Sequence, residues 1–264
     1  MKIIVCLKEV PDMEAHFKVN AQGTGIEKEG LVFKMNAFDE CAIEEALKLK
    51  EKFSGSVTLL TLGPETAKQT IRKGLAMGAD QAIHIHDPAF EGSDSLVIAK
   101  AFAKVLEKTE HDLVLTGVQS EDGVNMQTGV MLAQLLNLPH ASLVTKMEIS
   151  DDKKKATLSR ELEGGILENI EVMLPAVFTL QTGINIPRYP TLPGIMKAKK
   201  KEIKDFKVTD LGLSEAEVGL KGSHAKTIKL FTPQNTTQAQ ILEGSEEEAA
   251  KKLVQKLKEE AKVL

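Results

Sequence analysis

The stretch Gly117-Val118-Gln119-Ser120-Glu121-Asp122-Gly123-Val124-Asn125-Met126-Gln127-Thr128-Gly129 holds the residue types best suited to binding an anion. It follows a short apolar run, Leu113 to Thr116, and leads into the apolar helical pattern Val130 to Leu136. Amides at a helix N-terminus, with the positive end of the helix dipole, collect negative charge at such a junction. Gly123 and Gly129 let the backbone approach a phosphate closely, and Gln127 and Thr128 add side-chain donors. The spacing is neither a Walker loop nor a dinucleotide fingerprint. The same pattern also suits a capped helix start that binds nothing, and both readings stand at this point.

Other reactive side chains are sparser. His84 and His86 lie two apart on one strand and share a face, as a metal pair would. No third ligand is evident, so the preferred reading is two partly buried histidines beside a sheet edge. Neither the serines nor Cys6 and Cys41 carry a nucleophile signature. Lys197-Ala198-Lys199-Lys200-Lys201 reads as a solvated face or a contact for an acidic partner. Leu192 lies between Thr191 and Pro193 in a segment with three prolines, Pro187, Pro190 and Pro193. An apolar tip on such a frame suits docking of a partner, since little entropy is lost on binding. The alternative is a leucine folded back onto the core.

The elements that must position these groups alternate. Ile3 to Leu7, Val57 to Leu62, Ala82 to His86 and Leu113 to Thr116 read as strands. Ala37 to Phe53, Glu65 to Met77 and Ser93 to Glu107 read as helices, with Asn36 and Ser93 as N-caps and Asp39 placed like the acidic partner of a capping box. Strands joined by long helices imply a parallel sheet covered on both faces, with ligands outside the carboxyl ends of the strands. Those ends are Leu7-Lys8, Leu62-Gly63 and Gly117-Val118-Gln119.

Beyond Ala141 the rhythm changes. Ser142 to Ile149, Ala156 to Glu161, Ile166 to Met173 and Ala176 to Leu180 read as strands, the first three as antiparallel hairpins with a turn at Glu163-Gly164-Gly165. Ile184 to Met196 is too proline-rich for a helix or a central strand. A capping box at Ser245 to Glu248 opens a last helix with Ala249, Leu253, Val254 and Leu257 on one face. The irregular link before it suggests an arm that wraps a partner, although a helix packed on its own core fits the periodicity equally. The division expected is 1–183 as the α/β core with its hairpins, 184–200 as a recognition loop and 201–264 as a C-terminal arm.

Composition narrows the classes. The 264 residues carry a formal net charge of −4 and only 4% aromatics, with no Trp. There is thus no basic field and no stacking platform for nucleic acid. Two cysteines build no disulfide framework or zinc site, which points to a reducing compartment. No stretch approaches the ~20 apolar residues of a membrane span, and the N-terminal apolar run is too short for a signal peptide. A cytoplasmic protein is expected, or a mitochondrial matrix one if the source is eukaryotic.

Three segments together resemble the beta subunits of electron-transfer flavoproteins: Met35-Asn36-Ala37-Phe38-Asp39-Glu40 with Ala42 to Ala46; Arg160-Glu161-Leu162-Glu163-Gly164-Gly165 leading to Leu174-Pro175-Ala176-Val177; and Asn185 to Lys200, the most specific. The likeness covers nearly the whole chain, least surely after Lys207. It implies an adenine-nucleotide alpha-hydrolase-like α/β core in a heterodimer with an alpha subunit. FAD would sit mainly on that subunit, and AMP would be buried in this one. The AMP site carried over comprises Cys6, Asn36, Ala37, Phe38, Asp39, Leu62, Gly63, Gly117, Val118, Gln119, Asp122, Gly123, Asn125, Met126, Gln127 and Thr128, with Phe38 also near the flavin. Docking of acyl-CoA or other flavin dehydrogenases falls to Arg188, Tyr189, Leu192, Pro193, Ile195 and Met196. Glu161 matches a carboxylate that pairs with an arginine of the mobile flavin domain and gates its motion. The chain itself would be an electron-carrier subunit that breaks no bonds.

Two positions depart from the family pattern. Met126 stands where the loop usually has asparagine, and Met13 where a tyrosine is common. Two other readings stay in view: a bifurcating subunit with a second FAD in place of AMP, and a stand-alone adenine-nucleotide-binding regulatory domain. Thr128, where the bifurcating type tends to have valine, favours AMP.

Overall fold

The computed structural model describes residues 1–233 and 239–264. In chain order the elements are β1 (Lys2–Cys6), β2 (Glu9–Pro11), β3 (Phe33–Met35), α1 (Ala37–Phe53), β4 (Ser56–Leu62), α2 (Ala67–Met77), β5 (Gln81–Ile85), α3 (Ser95–Leu106), β6 (Leu113–Gly117), α4 (Thr128–Leu135), β7 (His140–Ile149), β8 (Lys155–Glu161), β9 (Leu167–Met173), β10 (Ala176–Leu180), α5 (Leu192–Ala198), β11 (Ile203–Phe206), α6 (Gly219–Gly222) and α7 (Glu246–Glu259). Two compact units result, one of residues 1–18 and 27–228, the other of residues 19–26 and 229–264.

The first unit is built on one sheet in the order β11-β5-β4-β1-β6-β10-β7-β8-β9. Every pairing from β11 to β7 is parallel, and β7, β8 and β9 pair antiparallel. The α/β parallel sheet with antiparallel hairpin additions is therefore present. Side chains alternate across each strand. Ile3, Val5 and Leu7 of the first strand segment share one core with residues of α1 and α2, while Ile4 and Cys6 share the other with α3. Strands buried on both faces explain why these runs are continuously apolar. The strand order reverses direction at β1, which lies between β4 and β6, so the switch point and its crevice fall at the carboxyl ends of β1 and β6.

Several expectations change in detail. Asn36 precedes α1 but makes no side-chain cap, and Asp39 closes no capping box; both side chains are drawn into contacts with β1 and the 117–122 segment. Asp94, not Ser93, caps α3, accepting the Val97 N–H at 2.9 Å. Residues 192–198 form a helix although three prolines precede or begin it. Pro193 falls in the first turn, where a missing N–H costs nothing, and the Thr191 hydroxyl caps the Gly194 N–H at 3.1 Å. Within the lysine-rich stretch, Ile203–Phe206 pairs with β5 as an edge strand. Residues 201–228, read from the sequence as arm, belong to the first unit.

In the second unit, Val19 bridges Ile26, and the Leu230 N–H donates to the Gly23 carbonyl at 2.7 Å. The capping box at Ser245 forms with both of its hydrogen bonds, and no residue of α7 is buried.

The 184–198 segment is held firmly from below. Arg188 donates Nε to Glu44 Oε2 at 2.8 Å, Nη2 to Glu44 Oε1 at 3.0 Å and Nη1 to Glu51 Oε1 at 2.6 Å. These bonds raise the guanidinium's affinity for its proton. Asn185 reaches the Cys41 carbonyl and Glu45 at 3.0 Å each. Arg72 donates to the carbonyls of Ala198 at 2.5 Å and Lys201 at 2.7 Å, fixing the end of α5. Gly194 approaches α2 so closely that a Cβ there would lie 2.5 Å from the Ala76 carbonyl oxygen. Removing one partner of a buried pair strands the other charge. Arg188→Met leaves Glu44, only 4% exposed, without its cation. Because Arg188 is itself partly exposed, the change should lower stability by about 1–2 kcal/mol, measured by urea unfolding of the chain in its native assembly. An unchanged midpoint would mean that the clamp holds nothing.

Candidate functional site

The cleft at the switch point is bounded by the end of β1, the start of α1, the end of β4, the start of α3 and the segment from β6 to α4. It has about 900 Å³ of empty space, part of it open to solvent. Of the residues singled out from the sequence, it brings together Cys6, Asn36, Asp39, Leu62, Gly117, Val118, Gln119, Gly123, Asn125, Met126, Gln127 and Thr128. Ala37, Phe38, Gly63 and Asp122 lie behind or beside this lining. The lining also includes Lys8 and Ser120, which the sequence reading named only as part of a strand end and of the 117–129 stretch, and a wall it missed, made by Ser93, Asp94, Ser95, Ile98 and Phe102. The signal for that wall was present, because Gly92-Ser93-Asp94-Ser95 also stands at a strand-to-helix junction.

Asp39 is the fastening at the floor. Its carboxylate accepts the Lys8 N–H at 2.8 Å and the Gly117 N–H at 2.9 Å, tying α1 to the ends of β1 and β6. Gly117 has to be glycine, since a Cβ there would lie 2.4 Å from Asp39 Oδ1 and 2.5 Å from Phe38 Cβ. Burial pushes the Asp39 carboxyl up to about 7, against the pull of the two N–H donors. Burial likewise pushes the Cys6 thiol up, so it is no nucleophile at neutral pH.

The loop after β6 is pinned along its first half. Asn36 Nδ2 donates to the Gln119 carbonyl at 2.8 Å, and Asn36 Oδ1 accepts the Glu121 N–H at 3.1 Å. Glu121 Oε2 accepts the Ala37 N–H at 3.2 Å, supplying from a distance the cap that α1 lacks locally. Lys8 Nζ reaches both Asp122 carboxylate oxygens at 2.7 Å. The second half, residues 123–127, is exposed, and it holds Val124 at φ 50° and Met126 at φ 56°. Positive φ in a β-branched residue is costly, and such strain concentrates where a loop serves a ligand. Gln127 makes no side-chain cap on α4, so the first-turn amides of that helix are free of side-chain partners. Gly129 seats the helix tightly, a Cβ there lying 2.6 Å from Thr179 Cγ2. Among the described residues Lys8 is the one basic residue on the lining. An uncapped helix start with hydroxyl and amide donors can hold a phosphate-bearing molecule; the apolar wall of Ile98 and Phe102 can cover a planar base.

The other sequence-selected residues lie elsewhere. Tyr189, Leu192 and Met196 are strongly exposed, Leu192 at 79%, and with Ile195 and Pro193 they make an apolar protrusion on α5 and the turn before it. Arg188 is spent on α1. Glu161 ends β8, where Gln181 Nε2 donates to it at 3.3 Å. His84 and His86 stack with ring centroids 5.4 Å apart, and each aims a ring nitrogen at the Gly63 carbonyl, at 3.1 and 3.2 Å. Among the described residues no group of three or more His, Cys, Asp or Glu is placed to hold a metal ion, and no helix is long and apolar enough to cross a membrane.

The fold is that of an α/β protein with a large, mostly parallel central sheet flanked by helices and a cleft at its switch point. Residues 24–211 match the family profile described as "Electron transfer flavoprotein domain". The chain is 36% identical to the electron transfer flavoprotein subunit beta of Methylophilus methylotrophus over 98% of both chains. It is 38% identical to that of Bacillus subtilis over 100% of both, and 38% identical to that of Homo sapiens over 98% of this chain and 97% of the relative. The chain belongs to the electron transfer flavoprotein family, on the side of its beta subunits.

The buried carboxyl gives the site a pH signature. A carboxyl whose ordinary value near 4 rises to about 7 on folding contributes stability that is complete below about pH 4 and is lost as pH rises through 7. The parent is therefore expected to lose stability relative to Asp39→Asn between pH 4 and pH 8, as read from urea midpoints across that range. A difference that grows with pH would instead mean that the Lys8 and Gly117 amides hold Asp39 ionised.

Proposed function

We propose that this chain is the nucleotide-holding, partner-docking half of a heterodimer whose alpha subunit carries the FAD. The cleft binds AMP as a structural ligand. The observation that carries this reading is the convergence at the switch point of an uncapped helix start and a strained loop, opposite an apolar wall. The residues fit the group. Thr128, Gln127 and the first-turn amides of α4 would hold the phosphate, with Asn125 beside them. The backbone at Cys6 and Leu62, with Ile98 and Phe102, would line the base. Met126 in place of asparagine is accommodated, since its side chain is 41% exposed and its left-handed backbone sets the path of the loop. Adenine and phosphate have no redox centre, so the flavin on the other subunit would supply the electron chemistry. A ligand that binds only the folded state stabilises it by mass action, which is the role left for AMP.

The exposed Tyr189, Leu192, Ile195 and Met196 would dock acyl-CoA or other flavin dehydrogenases. Arg188, Asn185 and Arg72 tie down their base. Phe38, at the start of α1, would face the flavin side, and Glu161, whose side-chain partner among the described residues is Gln181, would pair with an arginine of a mobile flavin domain. The uncovered apolar face of α7 would rest on the alpha subunit.

Two experiments test this. Denaturing the purified heterodimer and separating the released nucleotides should give one FAD and one AMP; two FAD and no AMP would make this a bifurcating protein. Leu192→Ala should weaken electron transfer to or from the dehydrogenase at limiting partner by a loss on the order of 2 kcal/mol, roughly thirtyfold, with flavin content unchanged. Kinetics equal to the parent would remove Leu192 from the docking surface.

A further inference from the structure

The wall of the cleft that the sequence reading missed is also the place where the C-terminal part of the chain is tied down. Asp94 Oδ1 accepts the Val97 N–H at 2.9 Å and caps α3, while its Oδ2 accepts the N–H groups of His224 at 2.8 Å and Ala225 at 3.0 Å. The Asp94 N–H donates to the Ser223 hydroxyl at 2.9 Å, and that hydroxyl lies 2.7 Å from the Gly219 carbonyl oxygen and 3.2 Å from that of Gly92. The Gly219 N–H donates to the Ser93 hydroxyl at 3.0 Å. Two glycines permit the approach. A Cβ on Gly219 would lie 2.4 Å from the Ala89 carbonyl oxygen, and one on Gly92 would lie 2.5 Å from Leu220 Cγ.

Residues 92–94 and 219–225 thus form one hydrogen-bonded knot. Its inner side, Ser93 to Ser95, lines the cleft. Beyond its outer side every residue from His224 to Phe231 is exposed. Ser223 is buried in the knot but does not line the cleft. Burial works to raise the Asp94 carboxyl, and the Ala225, Val97 and His224 amides outweigh it and hold it below the usual carboxylate range.

We propose that this knot couples nucleotide occupancy of the cleft to the anchoring of the chain's C-terminal segment, with Asp94 as the shared group and Ser223 as a positioning residue that acts through it. A nucleotide resting against Ser93 to Ser95 favours the arrangement in which Asp94 is also bonded to His224 and Ala225. By linkage the tied root then favours the nucleotide by the same factor. The proposal rests on the reading of the cleft as an adenine-nucleotide site.

The test uses the assembled heterodimer, stripped of nucleotide and reloaded with AMP. Amide hydrogen exchange across residues 219–228 should slow at least fivefold when AMP binds. Ser223→Ala should lower AMP affinity at least fivefold by calorimetry, and the ratio of exchange rates with and without AMP should fall towards one. Simple destabilisation would speed exchange in both states and leave that ratio intact, which would overturn the proposal, as would parent-like AMP affinity in the variant. If the parent releases FAD in place of AMP, the AMP reading fails. The same measurements with FAD then decide the coupling, and a cleft that binds neither nucleotide ends it.

Discussion

One carboxylate organises the switch point. The sheet reverses its winding between β1 and β6, and nothing in strand pairing alone says how α1 should begin relative to those two strand ends. Asp39 settles it by taking one backbone N–H from each. Both donors lie at strand ends, where the ladder has run out, so without Asp39 they would be partly buried and without this partner. The contact needs a glycine opposite it, and Gly117 supplies the room. With α1 set at this angle, Asn36 meets Gln119 and Glu121, and the loop that follows is fixed before it reaches the cleft.

The loop shows how rigid and strained halves divide the work. Its first residues are held by Asn36, Ala37 and Lys8, and its last ones carry two side chains at positive φ and lead to a helix start with no side-chain cap. A segment anchored at one end and strained at the other can present backbone donors at fixed positions without a glycine-rich motif. This is why the loop can be held in one shape while matching no phosphate-loop pattern.

A similar economy holds the exposed protrusion. Apolar side chains in water are stable in one arrangement only if the backbone beneath them is fixed. Here Glu44 and Glu51 grip Arg188, Arg72 grips the end of α5, and Gly194 lets α5 lie directly on α2. The charged residues of this region are mostly consumed in holding it, and the apolar ones are left for contact.

By itself the sequence determined the fold class and most of the element order, because strands buried on both faces must be continuously apolar and helices facing a sheet must repeat at 3.6 residues. It also located the strand ends that line the cleft and the family to which the chain belongs. It did not determine what the polar residues at those ends would bind. Asn36 and Asp39 have the spacing of a helix cap, and tertiary partners from β1 and β6 outcompete the local bonds. Pro193 argues against a helix until the chain places it in a first turn, where its missing N–H is harmless. The 203–206 strand, rich in charge, becomes a strand only because β5 offers an open edge. The Asp94 knot joins residues about 130 apart, and no local spacing encodes it. Local periodicity reports burial, which is a property of the chain; the choice of hydrogen-bond partner is made only when distant segments arrive.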